Sequence, residues 1–317
     1  MKILHITNAY PSNDNPIKGV FIKEQIDSLN NSNVKNDVYF IDKSTDGAKA
    51  YLKAIRYIFS VKKNYDVLHA HHVFSAIIAI FAGGSSRLVT SFLSDGQNEV
   101  MFGPRFLRII IFKIAYVFSK KRIFKLKTRV GSNPNNYFIQ NGVNTSLFSE
   151  LDKDECKTKL GLDVNKRYIL FVSGQNLHRP EKRYDLFLKV IDKLQRLTVD
   201  DDKALLPLAI SEATRETIPL YYNAVDCYLL TSDFEGSPNA VKEALACGTP
   251  VVSRNVGSAI DLLEGIPRCA VVDGENVNVL AETVLKSMNS EVDVNIRHCF
   301  MDKKLDTGSV ANQIMDI

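Results

Sequence analysis

Short β-rich runs alternate with amphipathic helical runs along this 317-residue chain, and the pattern starts twice. Lys2–Thr7 (KILHIT) predicts a buried strand, and Val20–Asn30 comes after it with Ile22, Ile26 and Leu29 at helical spacing. Strands at 38–41, 67–69 and 87–92 then alternate with helices at 50–62 and 73–82. A polar break, Gly161-Leu162-Asp163 with Asn165-Lys166, precedes a fresh strand at 168–173 (YILFVS). Beyond it come a helix at 181–197, a strand at 204–210, a helix at 216–225, a strand at 227–231, a helix at 237–247 and a strand at 250–253. Strand–helix alternation builds parallel, doubly wound sheets with helices on both faces. The expectation is an α/β protein of two Rossmann-like units: 1–160, then 161–300, with 301–317 returning to the first unit.

Composition narrows the class. Hydrophobic residues make up 45% and charged residues 24%, the balance of a folded domain rather than a disordered tail or a disulfide mini-protein. The net charge of +4 is local, because nine basic residues and no acidic one lie between Pro104 and Val130. The remaining 31 basic residues are outnumbered by 36 acidic ones, which argues against a nucleic-acid partner. The basic run combines helical apolar spacing with cations, so 105–129 is expected either to lie on an anionic membrane surface or to be a core-facing helix with cationic solvent contacts, followed by a strand. Five scattered cysteines without C-x-x-C spacing point to a reducing compartment with no disulfide framework and no zinc site. No stretch is apolar enough over about 20 residues to span a bilayer, and the start of the chain is too short an apolar run for a signal peptide. The expected location is cytoplasmic, peripheral to the membrane.

The chemistry concentrates in 227–253, CYLLTSDFEGSPNAVKEALACGTPVVS. Ser237 suits an N-cap, Pro238 the first helical position, Gly248 the helix end, and Pro250 stops continuation. The helix would start at a strand's carboxyl end, where open α/β sheets bind ligands and free N–H groups favour anionic or hydroxyl-rich groups. Glu235 precedes this helix. Glu243 lies inside it among Ala240, Val241, Ala244 and Leu245. A carboxylate there either finds donors, for which sugar hydroxyls serve well, or points to solvent beside Lys242.

A second loop, 173–186 (SGQNLHRPEKRYDL), carries Arg179 and Lys182 between a strand and a helix. Two cations at a strand's carboxyl end suit a diphosphate; the alternative is a solvated basic loop. Gly19, just before the first helix, makes an amide nest facing phosphate or serves only turn geometry. His69, His71 and His72 raise metal ligation, but successive strand side chains point to opposite faces, so three adjacent ligands are disfavoured and no metal is expected.

These segments resemble glycosyltransferase family 4, retaining enzymes of the GT-B fold, whose two Rossmann-like domains face across a cleft. The resemblance rests on the E-x7-E pair Glu235 and Glu243 together with Gly236, Pro238, Asn239, Ala244, Gly248, Pro250, Val251 and Val252. It extends to Arg179 and Lys182 in the phosphate-loop region, to the P…G-x-F…Q pattern around Gly19, and to IQNGVNTSLF near the linker. It implies that Glu235 binds the donor hexose and Glu243 the nucleotide ribose. Gly236, Ser237, Pro238 and Asn239 would form the loop whose backbone amides hold sugar hydroxyls or phosphate. Glu235, Arg179 and Lys182 would be the catalytic set, with a nucleotide diphosphate-sugar as co-substrate and no metal or other cofactor. The acceptor would be a glycan or lipid-linked sugar, in bacterial-type surface polysaccharide synthesis.

Three departures stand out. Arg183 occupies a position where many members have glycine. The segment at the end of 87–92 and just beyond it, SFLSDGQNE, contains no histidine, leaving Asp95 and His72 as acceptor-side candidates. The stretch 200–221 is short, as though a helix and a strand were missing. Rival readings are a nucleotide-sugar epimerase on the same fold and a non-catalytic sugar-nucleotide or glycan-binding module. The Asp-x-Asp at 200–202, beside Lys203, is expected to be a solvated turn rather than the metal site of a GT-A enzyme.

Overall fold

The computed structural model describes residues 1–12, 15–30, 34–93, 104–174, 176–199, 201–290 and 294–317. Two compact units divide the chain, one comprising 1–142 and 307–317, the other 143–306. The first unit contains β1 (Lys2–Thr7), α1 (Val20–Asn30), β2 (Lys35–Phe40), α2 (Lys43–Asp46), α3 (Lys49–Val61), β3 (Val67–Ala70), α4 (Val73–Phe81), β4 (Leu88–Phe92), α5 (Arg105–Phe118), β5 (Lys121–Phe124) and β6 (Asn136–Phe138). The second contains α6 (Lys153–Lys159), β7 (Arg167–Val172), α7 (Tyr184–Leu197), β8 (Leu205–Ile210), α8 (Ile218–Ala224), β9 (Cys227–Leu230), α9 (Asn239–Ala246), β10 (Val251–Arg254), α10 (Ala259–Leu263), β11 (Ala270–Val272), α11 (Val277–Asn289) and α12 (Ile296–Asp302). The last helix, α13 (Thr307–Met315), packs on α1 of the first unit.

The unit boundary differs from the expected 160/161. Leu151 N donates to Asn223 Oδ1 at 2.8 Å, and α6 packs on α8, so 143–160 belongs to the second unit. Similarly, the return begins at 307 rather than 301: α12 packs on α9 and Arg297 donates to carbonyls of Thr145, Phe148 and Ala246.

Both sheets are wholly parallel. Strand order is β2-β1-β3-β4-β5-β6 in the first and β11-β10-β9-β7-β8 in the second. Alternation along the strands sorts side chains between two layers. Tyr168, Leu170, Tyr228 and Leu230 pack with α8, α9, α10 and α12, whereas Ile169, Phe171, Cys227 and Leu229 pack with α7 and α11. Each sheet reverses its winding once. The reversal lies between β1 and β3 in the first unit and between β7 and β9 in the second. Ligands in open α/β sheets bind at the carboxyl ends of the strands flanking such a reversal.

Candidate functional site

The loops leaving β7 and β9 flank the reversal of the second sheet, and they are tied together. Asp233 N donates to Glu181 O at 2.8 Å, and Thr231 Oγ1 donates to the carbonyls of Lys182 and Arg183 at 3.0 and 3.1 Å. Across this seam Lys182 Nζ donates to Glu235 Oε1 at 2.6 Å, with both side chains more than four-fifths buried. The pair keeps a cation and a carboxylate together at the strand ends, where a charge-assisted bond is strong.

Arg179 does not join that pair. Its Nε and Nη2 donate to Glu181 Oε1 at 2.9 and 2.6 Å, and its side chain is 43% exposed. A guanidinium held beside its own loop stays available to an incoming anion.

Arg183 takes a backbone conformation that favours glycine. Its φ of 54° and ψ of 50° lie in the left-handed region, where glycine is unhindered and other residues incur a cost of about 1 kcal/mol or more. The side chain is held by Asp185, Asp233 and Glu275, with Nη1 to Glu275 Oε2 at 2.7 Å. Arg254 also donates to Asp233 and to the carbonyls of Thr231 and Ser232, bracing the base of the second loop.

Helix α9 starts at Asn239 with Pro238 as N-cap, two residues later than the expected start. Ser237 is not a capping side chain. Its hydroxyl accepts from the fully buried Lys242 Nζ at 3.0 Å. Gly236 is held from the other side, since its carbonyl accepts from Ser258 N at 2.9 Å.

Glu243 is buried, not solvent-facing, and its donors come from the protein. Arg215 Nη1 donates to Oε1 at 2.6 Å and Tyr222 OH to Oε2 at 3.3 Å. The Arg215 guanidinium also lies 4.5 Å above the Phe148 ring, an added cation–π contact. A carboxylate oxygen accepts two bonds, so a further hydroxyl donor can still be received. Sequence reasoning misses both Arg215 and Tyr222. The signal within reach was Arg215's position in the polar loop after β8, the same kind of place that marks Arg179.

The fully buried Tyr228 phenol lies within electrostatic reach of both glutamates: burial, and then the charges of Glu235 and Glu243, push its pKa well above the ordinary tyrosine value. Tyr228 OH, Ser232 Oγ, Asn239 Oδ1 and Ser258 Oγ are buried polar atoms lacking a hydrogen-bond partner. All four belong to β9, the loop after it, α9, or the Ser258 turn bonded to that loop. Unsatisfied buried polar atoms are uncommon and cost about 1–3 kcal/mol each, which marks this region as one prepared for a polar ligand.

The acceptor-side candidates fare differently. Asp95 lies outside the described residues. His72 is the N-cap of α4, its Nδ1 accepting from Phe74 N at 3.2 Å, so local capping accounts for it. Gly19 lies in the first unit just before α1, with a φ of 70°; a Cβ there would come 2.2 Å from Ala9 O. That close approach is the constraint that excludes a side chain.

Strand alternation also regroups the histidines. His69 and His71 fall together and meet His5 of the adjacent β1, their nitrogens all within 4.8 Å, while His72 stands apart. His5 Nδ1 is 2.9 Å from His71 Nε2, His5 Nε2 is 3.0 Å from Asn36 Oδ1, and His69 Nε2 is 2.8 Å from Ser91 Oγ. Burial lowers His5 to about 4 and holds His69 and His71 well below the usual histidine value. Neutral imidazoles suit a metal, but here they bond one another and their neighbours, and the buried Lys125 ammonium adds positive charge that lowers His69 and His71 further. A second cation fits this cluster poorly.

The Asp-x-Asp falls at the opposite end of the second sheet. Arg167, the first residue of β7, donates to Asp201 Oδ2 at 2.9 Å; Asp200 lies outside the described residues.

Residues 166–290, which lie within the second unit, match the model of the family described as Glycosyl transferases group 1. A D-inositol 3-phosphate glycosyltransferase of Mycobacterium sp. (strain KMS) is 30% identical over 169 residues, 46% of this chain and 38% of the relative. The match therefore spans well under half of that relative's length. A putative teichuronic acid biosynthesis glycosyltransferase of Bacillus subtilis, TuaC, is 22% identical across 92% of this chain and 90% of its own. Among solved structures, HepE of Anabaena in complex with UDP-glucose aligns with a TM-score of 0.71 at 17% identity, covering 100% of this chain and 98% of its own. The fold is GT-B, the α/β architecture of these glycosyltransferases.

Proposed function

We propose that the protein is a retaining, metal-independent hexosyltransferase of the glycosyltransferase family 4 type. Its donor is a nucleotide diphosphate-sugar and its acceptor a glycan or lipid-linked sugar in surface polysaccharide synthesis. The observation that carries the reading is the Lys182–Glu235 pair, 2.6 Å apart at the winding reversal of a domain matching group 1 glycosyltransferases. Support for the donor comes from HepE, which binds UDP-glucose, and for the pathway from TuaC, named for teichuronic acid biosynthesis.

In this mechanism Lys182 and Arg179 face the diphosphate, stabilising charge as the bond from the anomeric carbon to the phosphate oxygen breaks. Glu235 holds the hexose hydroxyls. Glu243, held by Arg215 and Tyr222, receives the ribose. The unpartnered Ser232, Asn239 and Tyr228 atoms accept or donate to the remaining hydroxyls. The acceptor oxygen forms the new bond on the face the diphosphate leaves, and its proton passes to the departing phosphate oxygen. Two fixed cations then meet the charge that a metal ion meets in other enzymes.

The test is product analysis with a panel of nucleotide-sugars and candidate acceptors, with and without chelator. Transfer with retained anomeric configuration is expected in chelator, and Glu235→Gln should slow it by about 100-fold or more. An epimerised free sugar nucleotide, tight donor binding without turnover, or strict metal dependence would each defeat the reading.

A further inference from the structure

Helix α5 is exposed on the wrong kind of face. Phe106, Ile110, Ile114, Val117 and Phe118 are 65, 47, 38, 67 and 51% exposed. At 100° per residue they fall within one arc of about 120°, where a globular protein's surface helix would carry polar residues. The inward side supplies Ala115 and the partly buried Ile111, Phe112 and Tyr116 to the core of the first unit. The helix is thus apolar on both its inner and its outer faces.

Lys113 borders the outer arc, while Arg105 stands at one end of the helix and Lys120 just beyond the other, all three exposed. The rest of the basic run is not equivalent. Arg122 is buried and donates to Asn136 Oδ1, Asn133 Oδ1 and the carbonyls of Tyr116 and Ser119. Lys125 is buried on Ile139 O, and Lys121 donates to the chain-terminal Ile317. Three of the nine cations therefore serve the fold and three frame an apolar strip; Arg108 is half-buried, and Lys127 and Arg129 lie beyond the helix.

We propose that this outer face of α5 docks on an anionic lipid surface, with Phe106, Ile110, Ile114, Val117 and Phe118 entering the headgroup–acyl boundary and Arg105, Lys113 and Lys120 meeting the headgroups. Charge selects this occupant. A second copy would bring the same cations against these, whereas anionic headgroups complement them. Lipid docking of this face is independent of sugar transfer and holds whether or not the protein is a transferase.

The chain contains no tryptophan, so Val117→Trp makes a single reporter within the strip. With the full chain, vesicles containing phosphatidylglycerol should shift its emission to the blue and carry the protein in flotation, and added salt should reverse both. Pure phosphatidylcholine vesicles should do so weakly. Lys113→Gln and Lys120→Gln should each weaken anionic-vesicle binding about fivefold. Ile110→Asp with Ile114→Asp should abolish it, while circular dichroism and nucleoside diphosphate binding remain unchanged. No emission shift with anionic vesicles, equal binding to neutral ones, or a folded aspartate variant that still floats would overturn the proposal. Self-association lost in the aspartate variant, without vesicle binding, would overturn it in favour of a dimer face.

Discussion

Lys182 and Glu235 are 53 positions apart, yet their side chains meet at 2.6 Å in the candidate site. Their pairing, and that of Glu243 with Arg215, sets a cation directly against a carboxylate that is largely shielded from solvent. Arg215 is the residue most open to a clean test. Arg215→Met leaves Glu243 buried with Tyr222 as a donor but without its Arg215 ion pair, and removing one member of a buried pair is costly. The expected loss is about 2 kcal/mol of stability, allowing for the partial exposure of Arg215, together with weaker nucleotide binding. Arg215→Lys should recover part of both. Denaturant midpoints and calorimetric titration with a nucleoside diphosphate measure them; a fully stable methionine variant would show that Glu243 does not need the cation.

At the scale of elements, two backbone constraints shape the loops. Arg183 adopts the left-handed turn between the short 3₁₀ helix Pro180–Lys182 and α7, so the loop after β7 keeps its course without a glycine at this position. Gly257, at a φ of 56°, lets the turn after β10 approach the loop after β9, where a Cβ would sit 2.3 Å from Gly236 O. Gly257→Ala should therefore cost at least about 2 kcal/mol and reduce nucleotide-sugar affinity, because the displaced partner is the loop carrying Glu235. Gly265 is the control: its φ of 74° is similar, but a Cβ there meets nothing within 4 Å. Gly265→Ala should cost about 1 kcal/mol and leave affinity unchanged. Equal effects at both positions would remove the argument from close approach.

At the scale of the whole molecule, both units wind the same way, but they differ in what lies at the reversal. The second places a lysine–glutamate pair there, the first a buried set of neutral imidazoles. His5 falls from 6.5 in its ordinary state to about 4 because burial disfavours its charged form. The unfolded chain therefore binds the proton first, and stability is complete above about pH 6.5 and lost as pH falls towards 4. The shift corresponds to about 3 kcal/mol from His5, with His69 and His71 acting in the same direction. Hydrogen exchange should show β1 and β3 losing protection across this window before β7 and β9 do, and His5→Gln should flatten the acid limb. Simultaneous loss in both units would contradict it.

Alternating strand and helix periods are local properties of the backbone, so the amino-acid order alone determined the two parallel sheets, most element positions, the loop containing Glu235, and the burial tendency of α9. Side-chain partners depend on which strands lie side by side, and that is decided by crossovers and by burial summed over distant segments. Only the tertiary structure therefore put β7 against β9, so that Lys182 met Glu235, and β1 against β3, so that His5 joined His69 and His71. The same holds for Glu243: its local neighbours announced a carboxylate in need of donors, but Arg215 and Tyr222 reach it through the packing of α8 and α9. On α5 and the strand after it the basic residues were plain to count, and folding alone separated the buried Arg122 and Lys125 from the exposed Lys113 and Lys120.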